Sequence, residues 1–226
     1  MRIVAVIPAY NEAPRLGAVL ASLKGVVNEI IVVDDGSQDE TALVAQKEGV
    51  HLIRHGINRG QGAALKTGTL AALELGAEII AHLDADGQHD ASTLEHLVNP
   101  LKKNQADIVY GSRFAGVVAE GMPASRKALL GAARLFSQYA LGIPHTITDP
   151  QSGLRAMRAP VAESLVFAQD GMAHCSEILR WVTRSSFRWQ EVPVRVRYTD
   201  ASLKKGQKAS HAFKIIWELF LGELVS

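Results

Sequence analysis

The chain has 226 residues, of which 47% are hydrophobic and 21% charged, with a formal net charge of +1. These values suit one globular domain able to bury its own core, and the near-zero charge gives no electrostatic case for a nucleic-acid partner. The lone Cys175 excludes an intramolecular disulfide framework and suits a reducing compartment, and no window of about 18 apolar residues predicts a transmembrane helix.

Ile3 to Ile7 is a β-branched run closed by Pro8, the pattern of a strand buried on both faces. The polar turn Ala9-Tyr10-Asn11-Glu12 follows, then a helix from about Ala13 to Lys24 with Leu16, Val19, Leu20 and Leu23 on one face. A second buried strand, Glu29 to Val33, ends in Asp34-Asp35-Gly36-Ser37. A helix from about Asp39 to Glu48 stops at Gly49, and Val50 to Arg54 is a third strand. Asn58-Arg59-Gly60-Gln61-Gly62 opens a helix to about Leu75. Its glycines allow close backbone approach at a helix N-terminus, but the spacing matches neither a P-loop nor a dinucleotide fingerprint.

The fourth strand, Glu78 to Leu83, runs into Asp84-Ala85-Asp86-Gly87-Gln88-His89. In extended chain, residues i and i+2 face the same side, so Asp84 and Asp86 would aim two carboxylates at one spot. Such a pair calls for a cation, and oxygen ligands favour Mg²⁺ or Mn²⁺ bridging to substrate phosphates. Ser92 or Thr93 would cap a helix to about Lys103, and Ala106 to Gly111 is a fifth strand. Strand–helix alternation through residue 111 predicts an α/β fold with a mostly parallel central sheet flanked by helices. The polar strand ends then converge on its C-terminal edge. Arg113, just past the fifth strand, suits phosphate recognition there.

The second half is less regular. Helices are expected over about Ser125 to Leu141 and Ala173 to Ser185. Strands are expected near Leu154 to Met157 and Arg188 to Tyr198, and an amphipathic helix over about Ala209 to Leu224. The 125–141 and 209–224 helices carry apolar stripes that read as core faces or as interfacial membrane faces.

Five motifs stand in order: Pro8-Ala9-Tyr10-Asn11-Glu12, Val33-Asp34-Asp35-Gly36-Ser37, Asp84-Ala85-Asp86-Gly87-Gln88-His89, Gly111-Ser112-Arg113 and Asp149-Pro150-Gln151-Ser152-Gly153-Leu154-Arg155. Together they resemble a family 2 inverting glycosyltransferase of the GT-A fold, in the dolichyl-phosphate mannose synthase and polyprenyl-phosphate glycosyltransferase branch. The resemblance covers residues 1–208. It implies a catalytic domain with a nucleotide-binding half (1–111) and an acceptor-binding half (112–208), followed by a C-terminal amphipathic helix (209–226).

The resemblance also implies roles. Pro8, Ala9, Tyr10 and Glu12, with Asp34 or Asp35, would hold the nucleoside of GDP-mannose or a UDP-sugar. Asp84 would be shared between ribose and metal, and Asp86 and Gln88 would hold Mg²⁺ or Mn²⁺ on the diphosphate. Arg113 and Arg126 would face a lipid-phosphate acceptor, and Lys205 would close over the diphosphate from a loop. Asp149 would lie near the reaction centre, serving as base if the acceptor were a sugar hydroxyl. The implied setting is cytoplasmic and peripheral at the inner face of a membrane, alone or as a homo-oligomer. Two other readings are a sugar-nucleotide-forming nucleotidyltransferase, whose Gly-rich signature is missing after the first strand, and a non-catalytic sugar-nucleotide-binding or membrane scaffold.

Overall fold

The computed structural model describes residues 1–88, 91–116, 124–166 and 168–194. The expected Lys205, the loop before it and the helix over 209–224 lie outside the described residues, as does His89.

The elements alternate through β1 (Ile3–Ala9), α1 (Ala13–Leu23), β2 (Glu29–Asp34), α2 (Thr41–Lys47), β3 (His51–Arg54), α3 (Gln61–Glu74), β4 (Ile79–His82), α4 (Ala91–Lys102) and β5 (Ile108–Ser112). Then come α5 (Ala124–Ala140), β6 (Arg155–Arg158), α6 (Ala159–Ser164), α7 (His174–Arg184) and β7 (Trp189–Pro193). The strands form one sheet in the order β3-β2-β1-β4-β6-β5-β7. All pairings are parallel except those of β6, which runs antiparallel to both β4 and β5. The mostly parallel α/β sheet is as expected; the antiparallel strand in its middle and the short α6 were not foreseen.

Alternation along each strand feeds two cores. In β1, Ile3, Ala5, Ile7 and Ala9 pack with α1, α2 and α4, whereas Val4 and Val6 pack with α3, α6 and α7. Pro8 is tolerated in this central strand for a directional reason. Val6 accepts a hydrogen bond from the Leu83 N–H through its carbonyl, so Pro8, two residues on, faces the same neighbour. β4 has ended at His82 by then, and no ladder bond is lost. The edge strand β3 is half-exposed rather than buried. Ser92 and Thr93 lie inside the first turn of α4 rather than capping it.

The position of β6 is what builds the second half of the site. Because it runs against its neighbours, its N-terminal end lies beside the C-terminal ends of β4 and β5. The Asp149–Gly153 turn that precedes it is thereby returned to the edge where the other strands end. β7 is fastened to β5 from below by Arg188, whose Nε and Nη2 donate to the Asp107 carboxylate at 3.0 and 2.8 Å, while its Nη1 donates to the Asn104 carbonyl. These hydrogen bonds hold the Asp107 carboxyl below its ordinary range. Its contribution is therefore present above the unfolded carboxyl range and is lost as pH falls through the lowered folded value. Asp107→Asn should lower Tm by about 2 °C at pH 7, with the gap to the wild type closing below about pH 4, read by thermal melts across pH.

Candidate active site

β1 and β4 lie side by side, but the chain leaves β1 towards β2 and reaches β5 on the opposite side of β4. This is a topological switch point, where neither connection covers the strand ends and open α/β sheets bind ligands.

On the β2 side the loops are tied to one another by the motif residues themselves. Asn11, in the left-handed region at φ 53°, receives Gln38 N–H on its side-chain oxygen at 2.9 Å and donates its own N–H to Ser37 Oγ at 2.9 Å. Glu12 donates its N–H to Thr41 Oγ1 at 2.8 Å, and its carboxylate pairs with Arg15. Asp34 accepts the Ser37 N–H at 2.9 Å, and its other oxygen lies 3.1 Å from Arg54 Nε. Asp35 accepts three hydrogen bonds: from His55 Nδ1 at 2.7 Å, Arg59 N–H at 3.0 Å and Gly60 N–H at 2.7 Å. Gly36 is required between them: its φ is +75°, and a Cβ there would stand 2.7 Å from the backbone at Ile57 and Asn58.

These ties leave an open cleft of about 640 Å³ beyond β2 and β3, lined among others by Tyr10, Ser37, Gln38, Arg54 and Asn58. Of the residues expected to hold a nucleoside, Tyr10 is on that lining and 42% exposed. Pro8 and Ala9 are buried in β1. Asp34 and Asp35, at 0% and 3% exposure, are engaged in closing the loops and do not line the cleft.

The extended chain of β4 stops at His82, and Ala85 and Asp86 already lie in a turn. Asp84 and Asp86 therefore share the strand's end through a turn, not through strand alternation. Asp84 accepts a hydrogen bond from Gln61 Nε2, at the start of α3, at 2.9 Å. Across from it, a Cβ on Gly153 would stand 3.4 Å from both Asp84 oxygens, so the glycine leaves room beside the carboxylate. Burial pushes the Asp84 carboxyl above its ordinary range, against the pull of Arg155, His174 and Arg113 and the hydrogen bond from Gln61. Asp86 accepts the Gln88 N–H at 3.0 Å, which brings Gln88 back towards the same turn.

Among the described residues, no three His, Cys, Asp or Glu side chains gather as a metal cage. Two carboxylates and an amide nonetheless fit a hard divalent cation, because Mg²⁺ and Mn²⁺ commonly take one or two carboxylates and complete their shell with water and phosphate oxygens. His82 is not a ligand. It is fully buried and bonded to Thr69 Oγ1 at 2.9 Å, and burial together with the Arg155 and His174 charges pushes it well below its usual value.

At the end of β5, Arg113 and Asp149 form a two-point ion pair. Nε donates to one Asp149 oxygen and Nη2 to the other, each at 2.6 Å, and the Arg113 N–H adds a third bond at 3.0 Å. The Asp149 side chain is 1% exposed and that of Arg113 15%, so this charge-assisted pair is shielded from solvent. Asp149 is thus engaged by a cation, whatever its part in the reaction. The side chain of Arg126 lies outside the described residues, although its backbone belongs to the first turn of α5.

Residues 4–166 match the model of a family described as glycosyl transferase family 2. The chain belongs to that family. It is 32% identical over 238 residues to a UDP-N-acetylglucosamine--dolichyl-phosphate N-acetylglucosaminyltransferase of Methanococcus voltae, covering 96% of this chain and 94% of the relative. It is 30% identical over 216 residues to a polyprenol monophosphomannose synthase of Mycolicibacterium smegmatis, covering 90% and 80%. Its fold is similar to that of glucosyl-3-phosphoglycerate synthase from Mycobacterium tuberculosis, solved with Mn²⁺, UDP-glucose and phosphoglyceric acid, at a TM-score of 0.73 and 20% identity over 97% of this chain and 77% of that one. The protein is a glycosyltransferase with the GT-A architecture.

Several residues of this glycosyltransferase that hold the site together were not singled out by the sequence. Gln61 grips Asp84, and Glu191 grips the 148–149 backbone. The Asn58–Gly62 glycines do allow a close approach, but the partner is the chain itself. Asp170 accepts the Gly62 and Ala63 N–H groups at 2.7 and 3.2 Å on its carbonyl, and a Cβ on Gly60 or Gly62 would collide with the carbonyls of 169–170. The start of α3 is thereby satisfied from within.

Behind Asp84, Arg155 is fully buried. It donates to the Gly153 carbonyl at 3.3 Å and to Cys175 Sγ at 3.4 Å, and its Nη1 has no partner among the described residues. Burial raises the Cys175 thiol, but the charges of His174 and Arg155 outweigh it and bring the thiol down to about 7. The contacts of Gln61 with Asp84, of Glu191 with Thr148 and of Arg155 with Cys175 join residues 20 or more positions apart and leave no local pattern to read. Asp35→Ala should cost about 3 kcal/mol in urea unfolding, because two backbone N–H groups and a histidine lose a buried acceptor, with the unfolding m-value unchanged.

Proposed function

We propose that this enzyme transfers a hexosyl group, with inversion, from a nucleoside-diphosphate sugar to a polyprenyl or dolichyl phosphate in a divalent-metal-dependent reaction. The observation that carries the reading is the Arg113–Asp149 pair. It sets a guanidinium at the end of β5, on the switch-point edge, and engages the one carboxylate that the sequence nominates as a base. A phosphate acceptor is already anionic and needs no base, whereas a sugar hydroxyl would need one. The names of the two relatives, each acting on or making a polyprenyl-type phosphate, support the same acceptor class. The Mn²⁺ and UDP-glucose found with the structural neighbour support the metal and the donor class.

In this reading the cleft beside Tyr10 takes the nucleoside. Asp84, Asp86 and Gln88 would hold the metal, which when bound would offset the negative charge that grows on the departing diphosphate. Gln61 keeps Asp84 turned towards that position, and Gly153 keeps the space beside it clear. Arg113 orients the acceptor phosphate so that one of its oxygens attacks the anomeric carbon from the face opposite the leaving diphosphate. The bond to the acceptor oxygen forms as the bond to the β-phosphate oxygen breaks, and the nucleoside diphosphate departs.

No helix among the described residues is long and apolar enough to cross a membrane. In this reading a lipid acceptor is met at a membrane surface. The outer face of α5 suits that, with Lys127, Ala128, Gly131 and Ala132 exposed beside Leu135 at 55% and Tyr139 at 78% exposure. Phe136 of the same helix packs against the core, in line with the core-face reading of its apolar stripe.

Asp86→Ala should lose sugar transfer by at least about 10³-fold while keeping the wild-type melting curve in the absence of nucleotide. A thermal-shift panel of UDP-, GDP- and dTDP-sugars with Mn²⁺ should show one base raising Tm in the wild type and not in Asp86→Ala. Transfer to a sugar hydroxyl and none to a polyprenyl phosphate would reject the acceptor class, and full activity of Asp86→Ala would reject the metal site.

A further inference from the structure

We propose that Glu191 is a positioning residue of the acceptor end, acting through Thr148 and Asp149 on Arg113; this rests on the phosphate-acceptor reading above. Glu191 sits on the edge strand β7, in register with Tyr110 of β5, three residues before Arg113. Its carboxylate reaches off the strand to the turn before β6. Oε2 accepts the Thr148 N–H and the Thr148 hydroxyl, both at 2.8 Å, and Oε1 accepts the Asp149 N–H at 3.0 Å.

Two routes run from there to Arg113. In the first, Glu191 fixes the backbone of Asp149, and the Asp149 carboxylate holds Arg113 through its N–H, Nε and Nη2. In the second, the Thr148 hydroxyl donates to Glu191, so the 2.5 Å contact between Thr148 Oγ1 and Ser112 Oγ has Ser112 as donor. Ser112 Oγ in turn accepts the Phe114 N–H at 3.1 Å. Every donor in this relay points towards Glu191, an acceptor-only carboxylate that ends it. The residues on both sides of Arg113 and its own side chain are thus set from one point, 78 positions away in sequence.

The physical consequence is pre-organisation. An arginine side chain carries substantial rotamer entropy, and a guanidinium already held in one plane loses less of it when an anion binds. Packing alone would not call for a carboxylate here. A half-buried charge on an edge strand is unfavourable unless its oxygens are hydrogen-bonded, as both are here.

Glu191→Gln keeps the shape but leaves a single acceptor oxygen, so either the Thr148 or the Asp149 contact must fail. The test is a double-mutant cycle on affinity for farnesyl phosphate, titrated calorimetrically into the full chain loaded with Mn²⁺ and UDP. Glu191→Gln should weaken farnesyl phosphate roughly tenfold, with UDP affinity changed less than about twofold. In an Arg113→Lys background the same change should add less than about twofold, since the pathway to the phosphate has already been cut.

Unchanged farnesyl phosphate affinity, multiplicative effects in the double variant, or an equal loss of UDP affinity would each overturn the positioning role. If Glu191→Gln loses its cooperative unfolding transition, Thr148→Val breaks the relay and is read by the same criteria. A wild type that neither binds farnesyl phosphate nor transfers sugar to a polyprenyl phosphate defeats the acceptor reading and this inference together. A wild type that does both, with Glu191→Gln unaltered, defeats this inference alone.

Discussion

Two neighbouring parallel strands whose connections leave in opposite directions cannot cover their common end. β1 and β4 are such a pair, and the rest of the site depends on that opening. It lets Pro8 sit in a central strand without forfeiting a ladder bond, because β4 has stopped short of it. It places the β1 and β2 loops on one side of the gap and the Asp84–Gln88 turn on the other. The proposed donor, long and charged at its middle, would suit a gap with a pocket on one side and carboxylates on the other.

The second half of the sheet adds what parallel topology alone would not. A parallel strand beside β4 would enter from the far edge and leave its preceding turn at the wrong end. β6 enters antiparallel, so the turn over Asp149–Gly153 arrives where β4 and β5 finish. That single reversal brings Gly153 against Asp84, Asp149 onto Arg113 and Arg155 into the interior beneath them. The buried Arg155 is an unusual element. A guanidinium with one nitrogen unpartnered among the described residues is costly in an interior, and its charge in turn pulls the Asp84 carboxyl and the Cys175 thiol down, against the effect of their burial.

The acidic and polar residues of the motifs divide into two kinds of work. Asn11, Asp34, Asp35 and Ser37 are largely consumed in clipping loops together. Asp84 and Asp86 stand at the opening, where Asp84 takes the Gln61 side-chain amide and Asp86 the Gln88 N–H. Polar residues at strand ends must satisfy buried backbone groups before anything else, since an unpaired N–H in a tight loop is expensive. Motif residues in equivalent places, such as Asp34 at the end of β2 and Asp84 just past β4, therefore answer to different demands.

The amino-acid sequence by itself determined the alternation of strands and helices through β5, the two-sided burial of β1, β2 and β4, and the gathering of polar clusters at one edge. Those follow from local periodicity and from the handedness of crossovers, which need no knowledge of distant partners. The order of five short motifs was enough to point to the family. Tertiary structure alone decided the direction of β6, the turn that carries Asp86, the use of Asp35 as a loop anchor, the capping of α3 by Asp170, and the grip of Glu191 on Thr148 and Asp149. All of these but the local turn at Asp86 depend on contacts between segments far apart in the chain. Hydrophobic period reports which face is buried, but it says nothing about which carboxylate will find which amide once the sheet has closed.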